Sequence, residues 1–181
     1  MSAPRLRLLE LLKTHAYAER EVILASGKPS TFYIDCKQAI LSAEGHFLVG
    51  TVICDLLSHI APEVRAVGGL TMGADPIASA VATISFQLGR PLDAFYIRKE
   101  PKEHGTQRWV EGRVPAGTVV AIVEDVCTTG ASTLKAIERA RFHGLEVARV
   151  IALVDRDEGG RAEVEKHAPF TALYTARDFR S

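Results

Sequence analysis

Val119-Val120-Ala121-Ile122-Val123-Glu124-Asp125-Val126-Cys127-Thr128-Thr129-Gly130-Ala131-Ser132-Thr133 decides how the chain is organised. Its first five residues are apolar and rich in valine, which suits a strand covered on both faces in a parallel sheet. Two adjacent acids follow, then small hydroxyl residues and a glycine that lead into a helix. A turn into a helix start presents backbone N–H groups, which attract an anion. The two acids would repel a bare phosphate. They fit a ligand that offers hydroxyls or a metal to the acids and a phosphate to the helix start. A second reading stays open here. Asp125, Thr128 and Thr129 are good helix caps, and strand-turn-helix junctions use such residues without any ligand. The chain has neither GxxxxGK[ST] nor GxGxxG.

The 181 residues suit a single domain, 1–181, with a full core. Lys plus Arg and Asp plus Glu each number 22, so the formal net charge is zero. That balance argues against a broad nucleic-acid or membrane surface. No stretch is apolar for long enough to span a bilayer, and the N-terminus lacks the apolar core of a signal peptide. The cysteines are Cys36, Cys54 and Cys127, none in a CxxC pair. Reduced thiols in a cytoplasmic protein are expected. No Cys or His cluster has metal-ligand spacing. Cys127 has no His beside it in sequence, so a small space-filling role is preferred to a nucleophile.

Outward from the central stretch, strands and helices alternate. Pro4 can open a first helix, with Leu6, Leu8, Leu9, Leu11 and Leu12 as its apolar stripe. Val22 to Lys37 reads as two short strands around Ser26-Gly27-Lys28-Pro29-Ser30. Ser42 caps the next helix, with Glu44 in its first turn and Phe47, Leu48, Val52, Ile53, Leu56 and Leu57 buried. Strand Val64–Val67 runs into the glycine-rich turn Gly68-Gly69-Leu70-Thr71-Met72-Gly73-Ala74-Asp75, followed by a helix from Ile77 to Leu88. This is a second turn able to meet an anion through backbone N–H groups, or a tight turn without a ligand. Strand Leu92–Ile97 opens into a long connection, residues 98–113, that carries Arg98, Lys99, Lys102 and His104 among Glu100, Glu103 and Glu111. A loop this long is a functional lid over pyrophosphate, with Gly105 and Gly112 as hinges, or a solvated charged loop. After the central helix, which Gly144 stops, come strand Val147–Val154, Arg156 at its carboxyl end, a short helix to His167 and strand Phe170–Tyr174. Arg156 can clamp a substrate carboxylate or pair with the neighbouring acids.

The expected fold is α/β. A mostly parallel five-stranded sheet is flanked by helices (core, 41–181) and carries a small N-terminal hood of helix and hairpin (1–40). Ligands of such sheets sit at the carboxyl ends of the strands.

Glu124 to Ser132 resembles the phosphoribosyl diphosphate (PRPP) signature of type I phosphoribosyltransferases. Three further segments sharpen the likeness over nearly the whole chain. Arg98-Lys99-Glu100-Pro101-Lys102-Glu103-His104-Gly105 is similar to the RKxxKxHG loop of orotate phosphoribosyltransferases. Leu24-Ala25-Ser26-Gly27 with Phe32-Tyr33 resembles their substrate hairpin, and Val154-Asp155-Arg156 their orotate-contacting segment. The resemblance implies transfer of phosphoribosyl from PRPP to orotate with Mg²⁺, giving orotidine 5′-monophosphate and pyrophosphate in UMP biosynthesis. It implies Lys102, His104 and Asp125 as catalytic residues. It implies PRPP contacts from Arg98, Lys99, Lys102, His104, Glu124, Asp125, Val126, Cys127, Thr128, Thr129, Gly130, Ala131 and Ser132, with the Thr71 to Asp75 backbone at the diphosphate. Thr128 and Arg156 would meet orotate. Mg²⁺ would be held mainly by PRPP and water, with no dedicated protein ligand. A homodimer sharing its lid between subunits is implied, with no nucleic acid or membrane partner.

Two departures stand out. Ala25 precedes the Ser-Gly of the hairpin, and the turn Thr71-Met72-Gly73-Ala74-Asp75 has no Lys, where many members of the family carry one in each place; Lys28 lies near the first and offers a charge. Glu124 also replaces a common Asp. Two rivals remain: a transferase of another base, which would not need a carboxylate clamp, and a PRPP-sensing nucleic-acid regulator, which would need a basic face.

Overall fold

The computed structural model describes residues 1–23, 29–100 and 109–180. Helix α1 (Ala3–His15) has Pro4 in its first turn and buries Leu8, Leu11 and Leu12, whereas Leu6 stays exposed. Strands β1 (Tyr17–Ile23) and β2 (Pro29–Ile34) pair antiparallel as a separate two-stranded sheet. The first strand starts at Tyr17 rather than at Val22. The Tyr17 ring packs on Phe32 at 5.0 Å and on Phe179 at 5.5 Å between centroids, so distant residues recruit this polar segment into the strand. A single turn, α2 (Lys37–Ile40), follows without an obvious sequence signal.

Ser42 caps α3 (Ala43–Ile60) as expected, its Oγ accepting from the Gly45 N–H at 3.0 Å. Leu48, Val52, Ile53 and Leu57 are buried, but Phe47 is 56% exposed. Phe47 shares a row with Thr51 and Asp55, on the polar side of the helix, so its apolar character is not turned to the core. Then come β3 (Ala66–Leu70), α4 (Asp75–Gln87), β4 (Asp93–Ile97), β5 (Val110–Glu111), β6 (Val119–Cys127), α5 (Ala131–Phe142), β7 (Glu146–Asp155), α6 (Gly160–Glu165), β8 (Phe170–Thr175) and α7 (Ala176–Phe179).

The main sheet has the order β5-β4-β3-β6-β7-β8. Five strands are parallel, which agrees with the expected α/β architecture, and two-residue β5 adds an antiparallel edge. Part of the connection expected as open loop is therefore sheet: Tyr96 pairs with Glu111 and Ile97 with Val110. Two further boundaries move. Gly68 and Gly69 belong to β3 rather than to the turn after it. Glu124 and Asp125 lie inside β6 rather than beyond it, because the ladder to β7 continues through Glu124–Ala152 to Cys127–Asp155.

Alternation along β6 divides the core between the two faces of the sheet. Ala121 and Val123 join the cluster that includes Val67, Ile77, Val81 and the buried leucines of α1. Val120 and Ile122 join the cluster with Ala136, Ile137 and Val164. The helices thus flank both faces. Among the described residues, no helix is long and apolar enough to cross a membrane.

The two glycines of β3 are needed by its neighbours. A Cβ at Gly68 would collide with the Phe95 carbonyl oxygen and ring, and one at Gly69 with the Val123 carbonyl oxygen and the Ala74 methyl. Replacement Gly68→Ala is expected to cost about 1–3 kcal/mol of stability by overpacking. Urea unfolding checks this, and a midpoint equal to the parent's would refute the close approach.

Candidate active site

Strands β3 and β6 lie side by side and in parallel, so their carboxyl ends open into one crevice. The crevice has a volume of about 330 Å³ and is lined by Lys37, Thr71, Gly73, Lys99, Asp125 and Ser132, with Glu124 at its floor. Four segments far apart in sequence therefore meet there. The turn after β3 presses against the acids: a Cβ on Gly73 would run into the Asp125 carboxylate. The Thr71–Met72 peptide within that turn is cis.

The two acids differ sharply in environment. Glu124 is buried and accepts a hydrogen bond from the Thr133 hydroxyl at 3.2 Å. Burial, and after it the charge of Asp125, raises its pKa well above the ordinary 4.5. Asp125 is half-buried. Its Oδ1 accepts the Val126 N–H at 2.9 Å, and its Oδ2 stands 3.6 Å from the Lys37 ammonium. Glu124 is thus suited to act as a neutral hydrogen-bonding group, and Asp125 as an acceptor that reaches solvent.

At the helix start, the capping alternative does not hold. The N-cap of α5 is Gly130, in the left-handed region at φ +81°, and no side chain caps the helix. Asp125, Thr128 and Thr129 leave the first turn of α5 to other acceptors. Gly130 packs against α6, where a Cβ would come 3.0 Å from the Gly160 carbonyl oxygen. The Gly160 N–H in turn donates to the Thr128 carbonyl at 3.0 Å. Val126 is half-buried and packs on the core; Thr129, Ala131 and Ser132 are exposed. Cys127 is buried against Gly160, and burial, then the Asp155 charge, pushes its thiol up to about 12. That is the expected space-filling cysteine, held as the unreactive thiol.

Arg156 follows β7, but its side chain turns to the hairpin. It donates to the Phe32 carbonyl at 2.9 Å, stands over the Phe32 ring at 5.3 Å, and pairs with Glu158 at 3.0 Å. The ion-pair reading describes the side chain as it stands, and the same side chain bridges the hairpin to the sheet. Arg98 opens the long connection. Its N–H donates to the Trp109 carbonyl at 2.9 Å, its guanidinium faces Glu111 at 3.4 Å, and its own carbonyl accepts from Arg139 at 2.6 Å. Arg139 also lies over the Trp109 ring at 3.9 Å, tying the foot of the connection to α5. Lys99 reaches the crevice; Lys102 and His104 lie outside the described residues, as do Ala25 and Lys28. The residue that sequence patterning passes over is Lys37. Its only signal is a basic residue two positions after Asp35 at the end of a strand, a common arrangement with no chemistry of its own.

No protein-family model matches the chain. It is 50% identical to the orotate phosphoribosyltransferase of Sorangium cellulosum (strain So ce56), over 98% of this chain and 94% of that protein. Among solved structures it is similar to Mycobacterium tuberculosis H37Rv orotate phosphoribosyltransferase in complex with Fe(III) dicitrate. The TM-score is 0.85 at 35% identity, over 97% of this chain and 98% of the other. The complex of the M. tuberculosis enzyme with 5-phospho-alpha-D-ribosyl 1-diphosphate gives a TM-score of 0.81 at 32% identity, over 98% and 99% of the two chains.

The raised pKa of Glu124 has a consequence for stability. Above pH 4.5 the unfolded chain releases this proton while the folded chain keeps it, so folding binds a proton and stability falls as pH rises toward the folded pKa. Glu124→Gln removes that loss. The variant is expected to gain stability over the parent on going from pH 5 to pH 8, measured by urea unfolding at both; a constant difference would contradict the buried, proton-retaining carboxyl.

Proposed function

We infer the chemistry of the crevice from kinship and geometry together: the chain belongs to the orotate phosphoribosyltransferase family. It transfers the phosphoribosyl group of PRPP to orotate, giving orotidine 5′-monophosphate and pyrophosphate in pyrimidine biosynthesis. The observation that carries this reading is the convergence of the acid pair, the uncapped start of α5 and the Thr71–Gly73 turn on one crevice. PRPP has hydroxyls, a 5′-phosphate and a diphosphate, one for each of these parts.

In the reaction the ribose C1–O bond to the diphosphate breaks with its electron pair going to the leaving oxygen. A ring nitrogen of orotate bonds to C1 and loses its proton. Positive charge develops on the ribose and negative charge on the diphosphate, so fixed charges and dipoles must meet both while water is kept out. Glu124 and Asp125 hold the ribose hydroxyls. The segment Val126–Ser132 receives the 5′-phosphate, with backbone N–H groups at the start of α5 as donors. The Thr71 to Asp75 backbone meets the diphosphate. Lys102 and His104 close on it with the lid, 98–113, joined by Arg98 and Lys99. The ribbon between β4 and β5 supports this arrangement, since it gives the lid a rigid foot. Thr128 and Arg156 take orotate, the latter from beside the hairpin, where its guanidinium is already oriented by the Phe32 carbonyl.

The donor set fits Mg²⁺ held largely by substrate. Asp125 presents a carboxylate to the crevice, a hard oxygen donor of the kind Mg²⁺ prefers. Asp125 would face such an ion, and PRPP oxygens and water would complete its shell. When bound, Mg²⁺ neutralises charge on the diphosphate.

Residues 1–181 act as one catalytic domain, with 1–40 as a hood over the crevice. Two copies form a homodimer and share the lid. Exposed Leu41, which lines a depression beside the crevice with His46 and Tyr96, offers apolar surface for a second copy. Three buried free cysteines suit the reducing cytoplasm.

With PRPP and Mg²⁺, orotate absorbance is expected to fall, while uracil, adenine, guanine and hypoxanthine are consumed slowly or not at all. Faster use of another base would overturn the orotate assignment. Arg156→Ala is expected to lower kcat/KM for orotate by roughly 100-fold, the scale of losing a charged, bidentate partner. PRPP binding, followed by calorimetry, should change little; a loss confined to PRPP would remove Arg156 from the orotate site.

A further inference from the structure

The crevice is to hold a ligand of several negative charges, yet one wall is acidic. Asp125 and nearby Asp35 carry carboxylates, and the turn Thr71-Met72-Gly73-Ala74-Asp75 brings no basic residue. Beside Mg²⁺, phosphate oxygens at such a place favour a cation of the protein, because backbone dipoles supply only partial charge. Two lysines line the crevice, Lys99 from the foot of the long connection and Lys37 from the start of α2.

Lys37 is the better anchored of the two. Its Nζ lies 2.6 Å from Asp35 Oδ1 and 3.6 Å from Asp125 Oδ2. Asp35 is itself fixed: it accepts the Lys37 N–H at 3.3 Å and the Gln38 side-chain amide at 3.2 Å. The Cys36 thiol between them is buried and donates to the Asp125 carbonyl at 3.8 Å, stitching this corner to β6. An ammonium has three N–H donors. Asp35 takes one and Asp125 stands within reach of a second, which leaves a third for a ligand. The side chain is one-third exposed, so that donor has access to the crevice.

We propose that Lys37 binds the diphosphate of PRPP, its ammonium held by Asp35 and Asp125 so that it meets the leaving group beside the cation-free Thr71–Asp75 turn. This assignment rests on the PRPP reading above and adds a residue to it. A purely structural ion pair would also hold Lys37 in place, but it would have no preference among ligands. The proposal requires one: the diphosphate should feel the loss of the lysine and orotate should not. The exposed Met72 side chain lines the same crevice, so a cation placed there can replace the missing one.

The test measures PRPP and pyrophosphate binding by calorimetry, alongside KM for PRPP and for orotate, in Lys37→Ala, Lys37→Arg and Lys37→Ala with Met72→Lys. Circular dichroism melts confirm that each variant is folded. Lys37→Ala is expected to weaken PRPP and pyrophosphate by about tenfold or more, the scale of one charge-assisted hydrogen bond, with KM for orotate within about twofold. Lys37→Arg should bind nearly as the parent does, and Met72→Lys should recover much of the loss. Equal loss for orotate and PRPP, or unchanged PRPP binding in folded Lys37→Ala, overturns the proposal. Tight PRPP binding by the parent without orotate turnover would refute the orotate reading alone, and the Lys37 effect on PRPP would still stand. A parent chain that binds no PRPP refutes both.

Discussion

Strand β6 is hydrogen-bonded on both sides, to β3 through Ala66–Val120 to Gly68–Ile122 and to β7 as far as Cys127–Asp155. A strand so held cannot slide, because a slip of one residue would exchange its two buried faces. Ala121 and Val123 serve one core and Val120 and Ile122 the other, so either face would suffer. The carboxyl end of β6 is therefore a fixed point. Everything in the crevice is measured from it: the turn after β3 on one side, Arg156 after β7 on the other, and the start of α5 ahead.

Close approach is what lets these parts share so small a volume. Gly68 and Gly69 bring β3 against Phe95 and Val123, Gly73 admits the Asp125 carboxylate, and Gly130 and Gly160 seat α5 and α6 around Cys127 and Thr128. At Gly68, Gly69 and Gly160 a Cβ would press on a backbone carbonyl oxygen by more than packed backbone can yield. The consequence is a set of polar groups held in position before a ligand arrives, with Asp125 accepting from the Val126 N–H, Lys37 held by Asp35, and Arg156 held by Phe32 and Glu158. A site of that kind spends little free energy on reorganisation when charge develops.

The arrangement also explains why acids and an anionic ligand coexist. Burial favours the protonated form of Glu124, which reduces the negative charge on the crevice floor. Asp125 has Lys37 nearby, and Lys99 enters from the foot of the long connection. Charge in the crevice is nearly balanced over a few ångströms, although the residues that balance it come from three separate segments.

The sequence by itself determined the alternation of strands and helices, the parallel sheet, the cap at Ser42 and the central stretch as the heart of the site. These follow from short-range facts: periodicity, capping chemistry and motif spacing are properties of neighbouring residues. It did not determine where β6 ends, since Glu124 and Asp125 are extended only because β7 continues to pair with them. Nor did it reveal that β5 closes the sheet edge, that Phe47 faces outward, or that Tyr17 begins a strand against Phe32 and Phe179. The position of Arg156 at the carboxyl end of β7 was legible, but its hold on the hairpin spans 124 positions of sequence. Lys37 lies 88 residues from Asp125, by subtraction of their numbers, and no local pattern couples them. Their proximity was decided by the tertiary structure alone, because α2 packs on α1, α3 and α4 and so comes to lie against the end of β6, with which it shares no ladder.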